Sequence, residues 1–284
     1  MPRVETLVDG LDHPEGVAYD ARDGAVWAGG EAGQLYRVDI GARTYEEAGR
    51  APGFVLGLAV DGRGRVAVCC EGAGSLCVLE DGAVRTLREG LRRPNYGAFG
   101  PDGTLYFSDS GDWGRDDGRV FRLSRDGGIE LLSEALPHFP NGCAVTADGR
   151  YLWIVESFAP TVNRVDLETG ELEEVTRLDG TVPDGVALTD DGGVVVSCYR
   201  PDRIVHIDRD GRLEIVAEDP QGTVLAAPTN IVFVGPARDR LVSANLGRWH
   251  LTLISETGLR GAPLHYPEVW AADAPARSSG EGRA

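Results

Sequence analysis

Two carboxylates and two carboxamides, Glu15, Asp184, Asn95 and Asn141, stand at matching places in a phrase that this 284-residue chain repeats. The copies read His13-Pro14-Glu15-Gly16-Val17-Ala18, Val55-Leu56-Gly57-Leu58-Ala59, Arg93-Pro94-Asn95-Tyr96-Gly97-Ala98, Phe139-Pro140-Asn141-Gly142-Cys143-Ala144, Val182-Pro183-Asp184-Gly185-Val186-Ala187 and Ala227-Pro228-Thr229-Asn230-Ile231-Val232. Leu56 and Thr229 complete the register, so five of the six aligned residues bear a side-chain oxygen. Positions that served only packing would resemble the Val and Ala beside them. Brought together, these groups form a hard-oxygen set that suits Ca²⁺, is tolerable for Mg²⁺ or Mn²⁺, and is poor for zinc because it lacks thiolate and imidazole. Asn or Asp before Gly is also ordinary turn chemistry, so Asn141-Gly142 and Asp184-Gly185, taken singly, read as turns. Glu15 has no such preference and argues that the oxygen itself is wanted.

The spacing says what positions them. The aligned residues are separated by 41, 39, 46, 43 and 45 positions, the period of one four-stranded propeller blade. Each copy runs on to a turn such as Asp102-Gly103 or Asp148-Gly149, and then to an apolar strand such as Leu152-Trp153-Ile154-Val155. An alternating strand such as Gln34-Leu35-Tyr36-Arg37-Val38-Asp39 comes next, and a polar one such as Gly170-Glu171-Leu172-Glu173-Glu174-Val175 ends the unit. The expectation is an all-β protein, a six-bladed β-propeller with four antiparallel strands per blade. Its innermost strands bring the aligned residues to one end of a central channel. Residues 3–10 resemble the outer strand at 83–90 but have no inner strands ahead of them, so they are expected to complete the last blade and close the ring. One domain over residues 1–271 is expected, with the small, polar, aperiodic residues 272–284 as a flexible tail.

Composition removes other function classes. Gly supplies 39 residues, as many tight turns require. The formal charge of −17 argues against nucleic acid and anionic membrane surfaces as partners and favours cations near the surface. All 28 basic residues are Arg, which excludes lysine Schiff bases, a phosphate-loop lysine and a lysine general base. The five cysteines are odd in number and lie in apolar runs, so no disulfide framework is implied. No secretory apolar segment or long apolar run is evident, and a cytoplasmic protein with no membrane association and no obligate protein partner is expected. Gly-x-Ser-x-Gly, CxxC, HExxH and phosphate-loop motifs are absent, and the five histidines are dispersed.

In combination and order, His13-Pro14-Glu15-Gly16, Arg93-Pro94-Asn95, Pro140-Asn141-Gly142, Pro183-Asp184-Gly185 and Val194-Val195-Val196-Ser197-Cys198-Tyr199 resemble the SMP-30/gluconolactonase/luciferin-regenerating-enzyme (regucalcin-like) family, over roughly residues 1–268. The resemblance implies a six-bladed propeller with one catalytic divalent cation, Ca²⁺ foremost and Mn²⁺, Mg²⁺ or Zn²⁺ possible. It places Glu15, Asn141 and Asp184 as metal ligands and Arg93 and Asn95 as substrate-binding residues, with Asn95 near enough to the ion for a direct or water-mediated contact. The implied activity is hydrolysis of a small-molecule lactone, often a sugar lactone, or a related ester. The chain departs from the sugar-lactone members at Ser108-Asp109-Ser110-Gly111-Asp112-Trp113, where they carry an acidic substrate contact.

The expected mechanism is metal-assisted hydrolysis, with a Lewis-acidic ion at the carbonyl oxygen and an activated water. Asp184 is both ligand and candidate base, and Arg93 offers a planar fork of donors. Glu31, Glu71, Asp109, Glu156, Tyr199 and Asn245 follow the second strands at similar offsets; Asp109 is the candidate among them for a substrate contact. His13 and His138 are expected to border the cavity. Trp113, Phe158 and Trp249 lie in loops, where they could cover a ligand or pack inside. A non-catalytic calcium- or small-molecule-binding propeller is the alternative, and a protein-interaction propeller a third reading.

Overall fold

The computed structural model describes residues 2–269, and the tail expected at 272–284 lies outside them. Six four-stranded antiparallel sheets are arranged as the repeat predicts. Five blades run outward in chain order over residues 17–50, 55–88, 94–133, 140–177 and 182–218. The sixth takes three strands from residues 228–255 and its outermost strand, Arg3–Asp9, from the N-terminus. Register from Arg3↔Ser255 to Asp9↔His250 closes the ring, which covers the edge that the last blade would otherwise expose.

Hydrophobicity sorts the strands by radius. Second strands such as Val66–Cys70 are buried on both faces, whereas outer strands such as Thr44–Arg50 are mostly exposed, which is why the former are continuous Val, Ala and Cys and the latter charged. The cores lie between blades. Val17, Val26 and Tyr36 of blade one pack with Val232, Val242 and Leu251 of blade six, joined by Leu7 and Val8 of the closing strand. The five cysteines are buried and unbridged. The Asp-Gly turns behave as the sequence predicts where a left-handed residue is needed, as at Gly103 (φ 92°) and Gly149 (φ 75°).

One local irregularity recurs where the aligned residues sit. Pairing between the first and second strands slips after Val55, Pro94, Pro140, Pro183 and Pro228 and resumes at Leu58, Gly97, Cys143, Val186 and Ile231. Such a bulge re-aims side chains away from the regular alternation. The Asn-Gly and Asp-Gly pairs here are not turns, since Asn141-Gly142 lies within Pro140–Val145 and Asp184-Gly185 within Val182–Leu188. Their glycines serve close approach instead. A Cβ on Gly142 would stand 2.2 Å from the Asp184 carbonyl oxygen, and one on Gly185 2.6 Å from that of Thr229. Neighbouring innermost strands therefore touch backbone to backbone at this level.

The other end of the channel is shut by residues 262–266, which cross beneath the blades. Ala262 donates its amide to the Leu188 carbonyl, and the Tyr266 hydroxyl donates to that of Tyr19. His265 Nε2 lies 2.9 Å from the Thr146 carbonyl. Above this strap is a cavity of about 100 Å³ lined by apolar groups, among them Leu58, Phe99, Val145 and Phe233.

Candidate metal centre and its rim

The bulge delivers Asn95, Asn141 and Asp184 to the open end of the channel, and Glu15 reaches it from the segment just before Val17–Asp20; all four are buried. Glu15 Oε2, Asn95 Oδ1, Asn141 Oδ1 and Asp184 Oδ1 are each inaccessible and have no hydrogen-bond partner. One such oxygen is costly to bury, and four at equivalent positions of one channel form a cradle that a cation would satisfy. The donor set is all oxygen and carries two negative charges, which fits a hard divalent cation.

The amides are oriented by a relay that sequence reasoning missed. Asn95 Nδ2 donates to Ser110 Oγ (2.9 Å), and that hydroxyl donates to the Pro140 carbonyl of the next blade (2.7 Å). Asn141 Nδ2 repeats this with Ser157 Oγ (3.1 Å), which donates to the Pro183 carbonyl (2.7 Å). With the nitrogens engaged, the Oδ1 atoms are the ones left free. Orienting groups behind the ligands fix which atom faces the ion. The signal was present as an acid-Ser pair, Asp109-Ser110 and Glu156-Ser157, closing the second strand in consecutive blades.

Electrostatics match a site built for positive charge. Burial pushes the Asp184 carboxyl up to about 7, against the partial relief of the Asn141 and Asn230 amides. Burial also raises Glu15 well above the carboxylate range, reinforced by the Asp184 charge and more weakly by Glu71, while Thr229 opposes. Two buried carboxyls this close disfavour joint ionisation unless a cation joins them. Thr229 Oγ1 also donates to the Glu15 carbonyl (2.8 Å). Beside it, Asn230 is fully buried, with its amide turned toward Asp184. It was missed because it stands one place beyond the aligned register.

Backbone geometry at the entrance is unusual in a repeated way. His13, Phe139 and Ala227, each preceding the proline of its phrase, adopt left-handed φ of 40°, 64° and 50°. That region is unfavourable for residues with a Cβ, and strain of this kind collects at functional sites.

Around the mouth, the expected residues divide. Arg93 Nε lies 2.9 Å from Glu71 Oε1, and its guanidinium sits over the rings of Trp113 (5.9 Å) and Phe139 (5.6 Å). Asp109 is placed beneath this segment. Its carboxylate accepts the amides of Arg92 (3.1 Å) and Arg93 (2.6 Å), and it is 1% exposed. Glu156 likewise accepts the His138 amide, and Asn245 the Ala226 amide. Half of the six residues that follow the second strands therefore clamp the loop entering their own blade. His13 Nδ1 lies 3.2 Å from both Asp12 and Glu31, a small group at the rim of blade one. His138 pairs with Asp116. Trp113, Phe158 and Trp249 are 70%, 41% and 51% exposed, so they do not pack inside. Among the described residues, no helix is long and apolar enough to cross a membrane.

Comparison with known proteins agrees with this architecture. The family model described as SMP-30/Gluconolactonase/LRE-like region matches residues 13–244. A search of curated proteins finds no match. Among solved structures, a Xanthomonas campestris gluconolactonase is 22% identical with a TM-score of 0.76, covering 89% of each chain. A luciferin-regenerating enzyme is 18% identical with a TM-score of 0.78, covering 94% of this chain and all of its own. Regucalcin from Agrobacterium tumefaciens, described as a calcium-binding protein, is 18% identical with a TM-score of 0.75, covering 95% of this chain and 98% of its own. At these identities the structural likeness speaks for the fold.

Proposed function

The chain belongs to the SMP-30/gluconolactonase/LRE-like family, and from that premise we propose that it is a divalent-metal-dependent hydrolase that opens a lactone or related ester at the mouth of the channel. The observation that carries this reading is the set of four buried, unpartnered oxygens on Glu15, Asn95, Asn141 and Asp184. Glu15, Asn141 and Asp184 would hold the cation, with Asn95 beside them. When bound there, a divalent cation supplies Lewis acidity toward a carbonyl oxygen and lowers the pKa of water. Ca²⁺ suits the oxygen set best, and the comparison with a calcium-binding regucalcin points the same way.

The chain's own groups supply the rest. Asp184 is the candidate base for a water held beside the cation, since its carboxylate stands buried at the mouth among the proposed ligands. Arg93 presents fixed donors toward substrate oxygens, held in place by Glu71 and by ring contacts. Asp109 acts on substrate through Arg93, whose backbone it anchors.

A calcium-binding role without turnover is the second reading, because the oxygen cradle alone satisfies it. Hydrolysis of γ- and δ-lactones and aryl esters separates the two, using protein stripped by chelator and reloaded with Ca²⁺, Mn²⁺, Mg²⁺ or Zn²⁺. Cation-dependent turnover is expected. Tight Ca²⁺ binding with no hydrolysis of any ester under any cation would overturn the enzyme reading and leave the binding one.

A further inference from the structure

Trp113, Phe139 and Phe158 meet in one cluster on the rim between blades three and four, with centroid separations of 5.4, 5.0 and 4.8 Å. Phe139 is buried and anchors it, while Trp113 is 70% and Phe158 41% exposed. Large aromatic rings left exposed together at the rim of a channel mark a place where something apolar is covered. The cluster is joined to the oxygen cradle in two ways. Phe139 is two residues before Asn141, and Arg93, two residues before Asn95, spans Trp113 and Phe139. Arg93 pairs with Glu71, whose charge is felt by Glu15.

On this side of the mouth several of the polar groups that could read hydroxyls are engaged within the chain. Asp109 holds the Arg92 and Arg93 amides. Glu156 holds the His138 amide (2.7 Å) and the Thr161 hydroxyl (3.0 Å). Asp117 pairs with Arg92, and Asp116 with His138. A polyhydroxylated ring laid here would lose water from its hydroxyls and find few free partners, which is costly.

We infer that Trp113, Phe139 and Phe158 form a specificity subsite for an aryl or alkyl substituent on the substrate, so that the preferred lactone or ester carries an apolar group rather than an array of hydroxyls. This rests on the hydrolase reading above for the reacting end of the ligand, and concerns only the substituent. Arg93 closes the subsite on the channel side, where it meets the oxygens of the same molecule.

The test compares three δ-lactones on the calcium-loaded protein, one unsubstituted, one carrying a phenyl group and glucono-δ-lactone, with Trp113→Ala, Phe158→Ala and Trp113→Phe beside the wild type. Both mutated side chains are exposed, so folding is not at stake. The wild type should prefer the phenyl-substituted lactone by kcat/KM. The ratio of substituted to unsubstituted should fall about tenfold in each alanine variant, the scale of one lost apolar contact, and Trp113→Phe should restore most of it. Binding of the corresponding non-hydrolysable lactams by calorimetry gives the same ratio without turnover. If no lactone is opened, the hydrolase reading fails while the lactams still decide the subsite. A wild type that favours glucono-δ-lactone, or alanine variants whose ratio is unmoved for both lactones and lactams, would overturn the inference.

Discussion

The two ends of the central channel are built from the same six strands and have opposite chemistry. At the open end Glu15, just before its strand, and Asn95, Asn141 and Asp184, near the start of theirs, bury oxygens that lack partners. A few residues further along the strands present groups such as Phe99, Val145 and Phe233, which line an apolar cavity above the strap 262–266. At the closed end the strap satisfies its own polar groups, through Ala262 to Leu188 and Tyr266 to Tyr19. One end is therefore saturated in the chain itself and the other is not. The contrast teaches that the ring closes by ordinary packing, and that the open end departs from it at a bulged position in five of the six blades and at Glu15 in the other, where polar groups are buried without partners.

The sharpest way to break the comparison is to make the open end resemble the closed one. Glu15→Gln and Asp184→Asn each keep volume while removing one negative oxygen ligand. Each is expected to weaken Ca²⁺ affinity at least about a hundredfold and to lower kcat/KM for the best lactone about a thousandfold, as read by calorimetry and a continuous pH assay. Wild-type behaviour in both variants would mean that the four oxygens are not a metal site.

Proton linkage comes next in size. Asp184 keeps its proton in the fold up to about pH 7, whereas its ordinary value is 3.8. The resulting loss of stability is absent below about pH 4, grows between about pH 4 and 7 while the unfolded chain is ionised and the folded carboxyl is not, and levels off above 7. It amounts to on the order of 4 kcal/mol from Asp184 alone. In chelator, the wild-type melting temperature should fall from pH 4 to pH 8 more steeply than that of Asp184→Asn, and Ca²⁺ should recover the loss at pH 8. Parallel curves for the two proteins would remove the electrostatic half of the contrast.

A third variant probes why the open end can be so tight. Gly142→Ala places a Cβ 2.2 Å from the Asp184 carbonyl oxygen and 2.7 Å from the Gly185 Cα, so backbone rather than a flexible side chain must give way. We expect a loss of about 2 kcal/mol in denaturant unfolding, together with weaker Ca²⁺ binding because the ligand strands separate. Loss of stability with unaltered affinity would show that the close approach serves the ring alone.

Much of this was legible in the sequence for a physical reason. A propeller repeats its environment, so the phrase is written six times over, and the strand borrowed from residues 3–10 stands out by matching an outer strand with no inner strands ahead of it. Glu15 could be read because no turn explains it. The orientation of the ligands could not be read, since it depends on hydrogen bonds between blades, such as Ser110 to the Pro140 carbonyl, that no local pattern encodes. Asn230 escaped because its bulge offsets it by one residue. Asp109, a tempting acid at the mouth by position alone, proved to be engaged with its own blade's backbone. The Asn-Gly and Asp-Gly pairs looked like turns because the same glycine that permits a turn also permits two strands to touch.

The smallest effects separate orientation from packing. Ser157→Ala deletes the hydroxyl that receives Asn141 Nδ2 and reaches the Pro183 carbonyl, so the amide loses what keeps its oxygen toward the channel. Val145→Ala, at the closed end of the same blade, removes buried methyl groups and no polar contact. Each should cost about 1–2 kcal/mol of stability, the first from an unsatisfied buried donor and the second from lost packing. Only Ser157→Ala should also reduce Ca²⁺ affinity, by about tenfold, as removal of a group behind a metal ligand does. If Val145→Ala weakens the ion equally, the two ends are mechanically coupled through the strand, and the division of the channel into a packed end and a coordinating end does not hold.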